Sequence, residues 1–242
     1  MRLTEIEKGY EVVVMKKEQS RGRVSLVALS EKYSNVAEQY RAIRSNIRFS
    51  SVDRPLKSMV VTSAGPGEGK STTAANLAII FANSGKRVLL VDADLRKPSV
   101  ADSFQIPNAK GLSNLLIDSD VTHENLVYQM SVDNLWIMPS GPKPPNPSEL
   151  LGSQRMIEVI EKLTNCFDLV IFDMPPVVTV TDAQIVAAKV DGTLFVVRER
   201  KTNKQMAQKA KKLLMMANAN VLGVVYNATS AKDQKDYYYY GN

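Results

Sequence analysis

Two rhythms of apolar residues divide the chain. Ala37, Tyr40, Ile43 and Ile47 recur three or four residues apart, the spacing of one buried helix face, and predict a helix over residues 35–49. Beyond Pro55 the pattern changes to short, mostly apolar runs at 58–63, 88–91, 135–138, 169–172, 193–197 and 221–226. Such runs suit strands buried on both faces of a parallel sheet. Helical stretches fill the intervals at 71–83 (closed by Ser84 and Gly85), 149–164, 182–189 and 203–218. Strands alternating with helices predict an α/β fold: a doubly wound, mostly parallel sheet with helices on both faces. Ligands of such a sheet bind at the C-terminal ends of its strands.

Three stretches fall outside the rhythm. Residues 1–28 mix charges with an apolar patch at 12–15 and a basic stretch at 16–23, and read as an extension outside the main fold. Residues 141–147, GPKPPNP, are too rich in proline for a helix or a central strand and predict a stiff loop. Residues 228–242 lack apolar periodicity, end in Tyr237, Tyr238, Tyr239 and Tyr240, and predict a flexible tail. What remains, 29–227, is of a size that one core sustains.

Composition narrows the chemistry. Of 242 residues 44% are apolar and 23% charged, ordinary proportions for a globular chain. The formal charge of +6 favours an anionic partner without choosing among a nucleotide, nucleic acid or a membrane surface. Cys166 and His123 are the only residues of their types, which excludes an internal disulfide and a Cys/His zinc cage. A single histidine also leaves little room for a Ser-His-Asp triad. A reducing, cytoplasmic setting is therefore expected. No run approaches the length of a membrane span, and Glu5, Glu7, Lys8 and Glu11 interrupt any leader-like core, so membrane work would need a partner to hold the chain there.

Ala64 to Ser71, AGPGEGKS, falls between the first predicted strand and its helix and fits the phosphate-binding P-loop. Gly65, Gly67 and Gly69 let backbone N–H groups turn inward, with Glu68 inside the loop and Thr72 just after it. Lys70 would neutralise phosphates, and the Ser71 hydroxyl would ligate Mg²⁺. Two further strands end in Asp92 and Asp94 and in Asp173, on the same sheet edge. Three carboxylates beside a triphosphate call for a divalent cation between them, with one left over to accept a proton. Arg96 either stabilises charge on the transferring group or pairs with an aspartate.

These motifs resemble the bacterial protein-tyrosine kinases of capsular and extracellular polysaccharide synthesis, P-loop NTPases related to ParA and MinD. The loop is similar to their Walker A motif, LLVDADLR at 89–96 to Walker A′, and VIFDMPP at 170–176 to Walker B. Glu38, Arg41 and Arg44 fit the family's E-x-x-R-x-x-R oligomerisation motif, and the segment 140–151, Thr181-Asp182-Ala183 and the terminal tyrosines extend the likeness over 29–242.

The resemblance implies an ATP- and Mg²⁺-dependent kinase of the stand-alone type. Lys70 is the phosphate-binding lysine, Ser71, Asp94 and Asp173 hold the metal, and Asp92 or Asp94, with Asp92 favoured, acts as base. Asn227 lies near the adenine. Tyr237 to Tyr240 are the acceptors, phosphorylated in trans within a homo-oligomer, taken as a ring. The partner implied is a transmembrane activator of the polysaccharide co-polymerase family, which recruits the chain to the inner face of the membrane. A ParA/MinD-like switch ATPase is the rival, but its second lysine early in the loop is Gly65 here. No basic-aromatic stretch points to nucleic acid.

Overall fold

The computed structural model describes residues 11–16, 24–50 and 55–229. Its strands are β1 (Glu11–Lys16), β2 (Ser58–Ser63), β3 (Val88–Asp92), β4 (Tyr128–Gln129), β5 (Leu135–Met138), β6 (Leu169–Asp173), β7 (Gly192–Arg198) and β8 (Val221–Thr229). They form one sheet in the order β1-β8-β7-β2-β6-β3-β5-β4. Only β4, against β5, runs antiparallel. The helices are α1 (Val27–Ser30), α2 (Asn35–Ser50), α3 (Lys70–Ala82), α4 (Val100–Phe104), α5 (Leu112–Ile117), α6 (Pro147–Gly152), α7 (Gln154–Cys166), α8 (Asp182–Ala187) and α9 (Lys204–Met216).

The two-residue period of a strand divides the core between the two faces of the sheet. Met59 and Val61 of β2, Leu90 of β3 and Ile171 of β6 pack with Tyr40, Ile43, Leu77 and Phe81 from α2 and α3. Val60, Leu89 and Val170, their neighbours in sequence, pack with Leu112, Met156, Leu163, Ala183 and Leu214 from α5, α7, α8 and α9. The central strands are buried along their whole length, so they read as largely apolar runs, with Ser58, Thr62, Ser63 and the terminal aspartates as buried polar exceptions.

The predicted strands all form, and four differences from the sequence reading are physical. Residues 11–16, read as part of an outside extension, join the sheet as its edge strand, parallel to β8 with Val13 opposite Val225. Residues 24–28 also belong to the domain: Val27 and Ala28 are buried, and the Ala28 N–H donates to Asn76 Oδ1 at 2.8 Å. The helix predicted over 149–164 is two, α6 and α7, because Ser153 takes an extended backbone and its Oγ caps α7 by accepting the Met156 N–H. Strand β8 continues to Thr229, past the boundary drawn at 227. The short elements α4, α5 and β4 carry too little periodicity to be predicted. The predicted tail, with Tyr237 to Tyr240, lies outside the described residues, as do 1–10, 17–23 and 51–54.

Candidate functional site

Strand β2 delivers the chain into the glycine loop, and α3 leaves it. Gly69 lies in the left-handed region at φ 100°, and a Cβ there would fall 1.9 Å from Asn227 Nδ2, so both conformation and space require glycine. The loop is braced from behind. The Glu68 side chain, 2% exposed, accepts the Ala64 N–H at 2.9 Å and the Thr202 hydroxyl at 2.6 Å. Asn227 Nδ2 donates to the Glu68 carbonyl at 2.9 Å. Arg198 Nη1 and Lys201 Nζ donate to the Gly67 carbonyl at 3.0 and 3.3 Å. Glu68 therefore shapes the cradle with its carboxylate. Ser71 and Thr72 begin α3, and the Thr72 carbonyl accepts the Asn76 amide at 2.8 Å.

Lys70 reaches from the first turn of α3 to the ends of β3 and β6. Its Nζ lies 3.1 Å from Asp94 Oδ2, 3.3 Å from Asp173 Oδ1 and 3.2 Å from Ser71 Oγ. Asp92 sits opposite Asp173 across the β3–β6 ladder, which explains why both carboxylates reach one place. Asp92 Oδ2 accepts the Ser99 and Val100 N–H groups at 2.9 Å each, while Oδ1 receives only the longer Asp94 N–H at 3.3 Å.

Burial sets the electrostatics. It raises the Asp92 carboxyl to about 7, with the Asp173 charge adding and the two backbone donors opposing. Burial likewise raises Asp173, partly offset by Lys70. For Lys70, burial pulls the ammonium downward, but Asp173 and Asp94 outweigh it and the net shift is upward. The cluster keeps its cation charged in a dry place.

The residues fit a magnesium ion. Among the described residues no group of three or more His, Cys, Asp or Glu side chains is arranged to hold a metal alone. Mg²⁺ does not need one, because it keeps waters and substrate phosphates and takes one or two carboxylates. Asp173 Oδ2 is buried with no hydrogen-bond partner, an acceptor left over beside the Ser71 hydroxyl and Asp94.

Arg96 follows the pairing alternative. Its Nε and Nη2 donate to the two oxygens of buried Asp182 at 2.8 and 3.0 Å, and Nη2 also reaches Ser148 Oγ at 2.9 Å. Arg96 thereby ties the loop after β3 to the start of α8. Of the set on α2, Glu38 and Arg41 form an ion pair, and Arg41 also donates to the Lys32 carbonyl. Arg44 instead reaches the Ile80 carbonyl at 3.5 Å, near the far end of α3 from the loop. The sequence reasoning missed Arg198, Lys201 and Thr202; the available signal was a polar, cationic run just after a buried strand.

Comparison with known proteins agrees with this geometry. Residues 56–239 match the ParA family, described as NUBPL iron-transfer P-loop NTPase. The chain is 46% identical over 222 residues to tyrosine-protein kinase YwqD of Bacillus subtilis (strain 168), covering 92% of this chain and 93% of that protein. It is 41% identical over 207 residues to the putative tyrosine-protein kinase CapB of Staphylococcus aureus, covering 86% and 90%. Among solved structures, the chimerical protein CapA2B2 superposes with a TM-score of 0.86 at 38% identity, over 93% of this chain and 97% of that one. The kinase domain of Escherichia coli tyrosine kinase ETK gives 0.85 at 27% identity, over 93% and 92%. The cell division ATPase MinD of Pyrococcus furiosus, with a TM-score of 0.60 at 24% identity over 71% of each chain, shares the fold. On relatives this similar over nearly their whole length, the chain belongs to the bacterial tyrosine-protein kinases built on a ParA-type P-loop domain.

Proposed function

We propose that the chain binds Mg²⁺-ATP at the glycine loop and transfers the γ-phosphoryl group to tyrosine hydroxyls, first those of Tyr237 to Tyr240 on a neighbouring copy. The observation that carries this reading is the Lys70 ammonium held between Asp94 and Asp173, 3.1 and 3.3 Å away, beside an unpartnered carboxylate oxygen and under a backbone cradle. The metal, held by Ser71, Asp94 and Asp173, would supply charge neutralisation to the phosphates. Lys70 leaves its carboxylates for the β- and γ-phosphates, and the inward N–H groups of residues 67–72 hold the oxygens in place. Asp92 Oδ1, with only one long hydrogen bond, takes the phenolic proton as the tyrosine oxygen bonds to phosphorus and ADP leaves.

Asn227, tied to the loop at Glu68, flanks the adenine side. Among the described residues no helix is long and apolar enough to cross a membrane. We place the chain on capsular or extracellular polysaccharide synthesis, recruited to the membrane by a transmembrane activator of the co-polymerase type. The names of relatives from Cap, Cps and Eps systems support this. Glu38, exposed on α2, and the half-buried Arg41 and Arg44 are assigned to the contact between copies.

The test is incubation with labelled ATP and Mg²⁺, with the activator's cytoplasmic segment added, followed by phosphoamino-acid analysis. Label on tyrosine that disappears when Tyr237 to Tyr240 become Phe is expected. Release of free phosphate with no labelled protein would instead assign the chain to the nucleotide-switch ATPases.

A further inference from the structure

Seven of the 31 Lys and Arg residues lie between Arg198 and Met216, and Glu199 is the only acid among them. This stretch therefore carries a formal +6, the charge of the whole chain, and the rest holds 24 of each sign. In the structure it is the end of β7, the loop after it, and α9. Ala207, Ala210 and Leu214 turn α9 inward, which leaves Lys209 and Lys212 exposed on its outer side. Arg198 and Lys201, at the end of β7 and in the loop before α9, reach the Gly67 carbonyl at the lip of the phosphate loop. Glu199 is paired with Arg200 at 3.2 Å.

The chain leaves the sheet beside this surface. Arg198 lies opposite Asn227 on the β7–β8 ladder, and β8 ends at Thr229. Eight residues on comes Tyr237, and eleven on comes Tyr240, so an extended tail reaches about 26 to 36 Å. The thirteen residues of α9 are only about 20 Å long. Four phosphotyrosines would add a charge of about −6 to −8, a close match to the surface next to them.

We propose that the basic face formed by α9 and the loop before it is the docking site for this chain's own phosphorylated tail, residues 230–242. The inference rests on the tail being the phosphoacceptor. Lysines recognise each phosphate as point charges, and the short tether keeps the tail's effective concentration at the face high. Docking removes the spent tail from the neighbour's active site and stores it against the kinase until a phosphatase strips it.

The experiment uses the full chain with Tyr237 to Tyr240 changed to Phe, and a synthetic peptide of residues 228–242 bearing four phosphotyrosines, followed by fluorescence anisotropy. The phosphopeptide is expected to bind at least about tenfold more tightly than the unmodified peptide, and that advantage shrinks as salt rises from about 50 to 300 mM. K209Q/K212Q should weaken it at least about fivefold with the thermal midpoint unchanged, and K209R/K212R should restore it. Wild-type chain already phosphorylated on its tail should take up little added phosphopeptide.

Equal affinity for the two peptides, indifference to K209Q/K212Q, or undiminished uptake by the phosphorylated chain would each overturn the proposal. So would capture of phosphatidylglycerol vesicles through these lysines with no phosphopeptide binding. Because the peptide is synthetic, its binding is read independently of the chain's own activity. Mass spectrometry showing active kinase with an unmodified tail would overturn the acceptor reading separately.

Discussion

Lys70 shows how a single side chain organises the acidic cluster. Two carboxylates at the ends of different strands converge on its ammonium, and without it both would be buried and close with no counter-ion. Lys70→Met should therefore destabilise the nucleotide-free protein by about 3 kcal/mol or more, read by urea unfolding. It should also lower tyrosine phosphorylation by about 100-fold or more, since a preorganised cation is lost where charge develops.

Asp92 gives a pH signature of opposite sense to an ordinary salt bridge. Its carboxyl is held at about 7 in the folded chain, above its ordinary unfolded value near 4, so the folded state binds the extra proton. Stability is then favoured at low pH and falls as pH rises through that window. The thermal midpoint of metal-free protein should drop between about pH 5 and 7.5, and Asp92→Asn should flatten much of that slope. A slope that survives Asp92→Asn unchanged would refute the assignment.

The three aspartates and the loop were legible in the sequence because each follows an apolar run long enough to mark a strand end. The partner of Arg96 was not: Asp182 lies 86 positions away, and nothing local distinguishes it from a helix-capping acid. Arg198 and Lys201 look in sequence like any solvated basic turn until the sheet sets them against Gly67.

At the scale of elements, the three residues on α2 that share the oligomerisation motif differ in their local partners. Exposed Glu38 pairs with half-buried Arg41, whereas half-buried Arg44 reaches the Ile80 carbonyl of α3 and keeps a buried Nε with no hydrogen-bond partner. Changing Arg41 and Arg44 together would confuse assembly with folding. Glu38→Ala with Arg41→Ala should lower the mass seen by light scattering while shifting stability by no more than about 2 kcal/mol, the ion pair and the Lys32 contact together. An unchanged mass would remove these residues from the contact between copies.

The parallel strands were readable because burial on both faces leaves them mostly apolar, with few polar interruptions. Strand β1 was not: its apolar run at 12–15 is as unbroken as the others, but it stands alone among charged residues, outside the strand–helix alternation that marks the rest. The break between α6 and α7 turns on one serine whose hydroxyl favours a cap over another helical turn.

For the whole molecule, the alternation of strand and helix was enough to give the layers and the side on which ligands bind. It could not give the reach of the domain, since β1 is placed by pairing with β8, more than 200 residues later in the chain. Charge behaves in the same way. A net +6 says little as a total, but it becomes specific once it is found in one stretch, β7's end through α9, beside the end of β8.

Helix α3 carries a last consequence. Ten of its thirteen residues, Thr73 to Ala82, are interior, on a helix that begins directly at the glycine cradle. The cradle is thus the exposed tip of a central pillar, and it cannot loosen without loosening the packing around it. Whatever motion admits a substrate and releases a product must come from the periphery, while the grip on phosphate stays as firm as the domain's own cohesion.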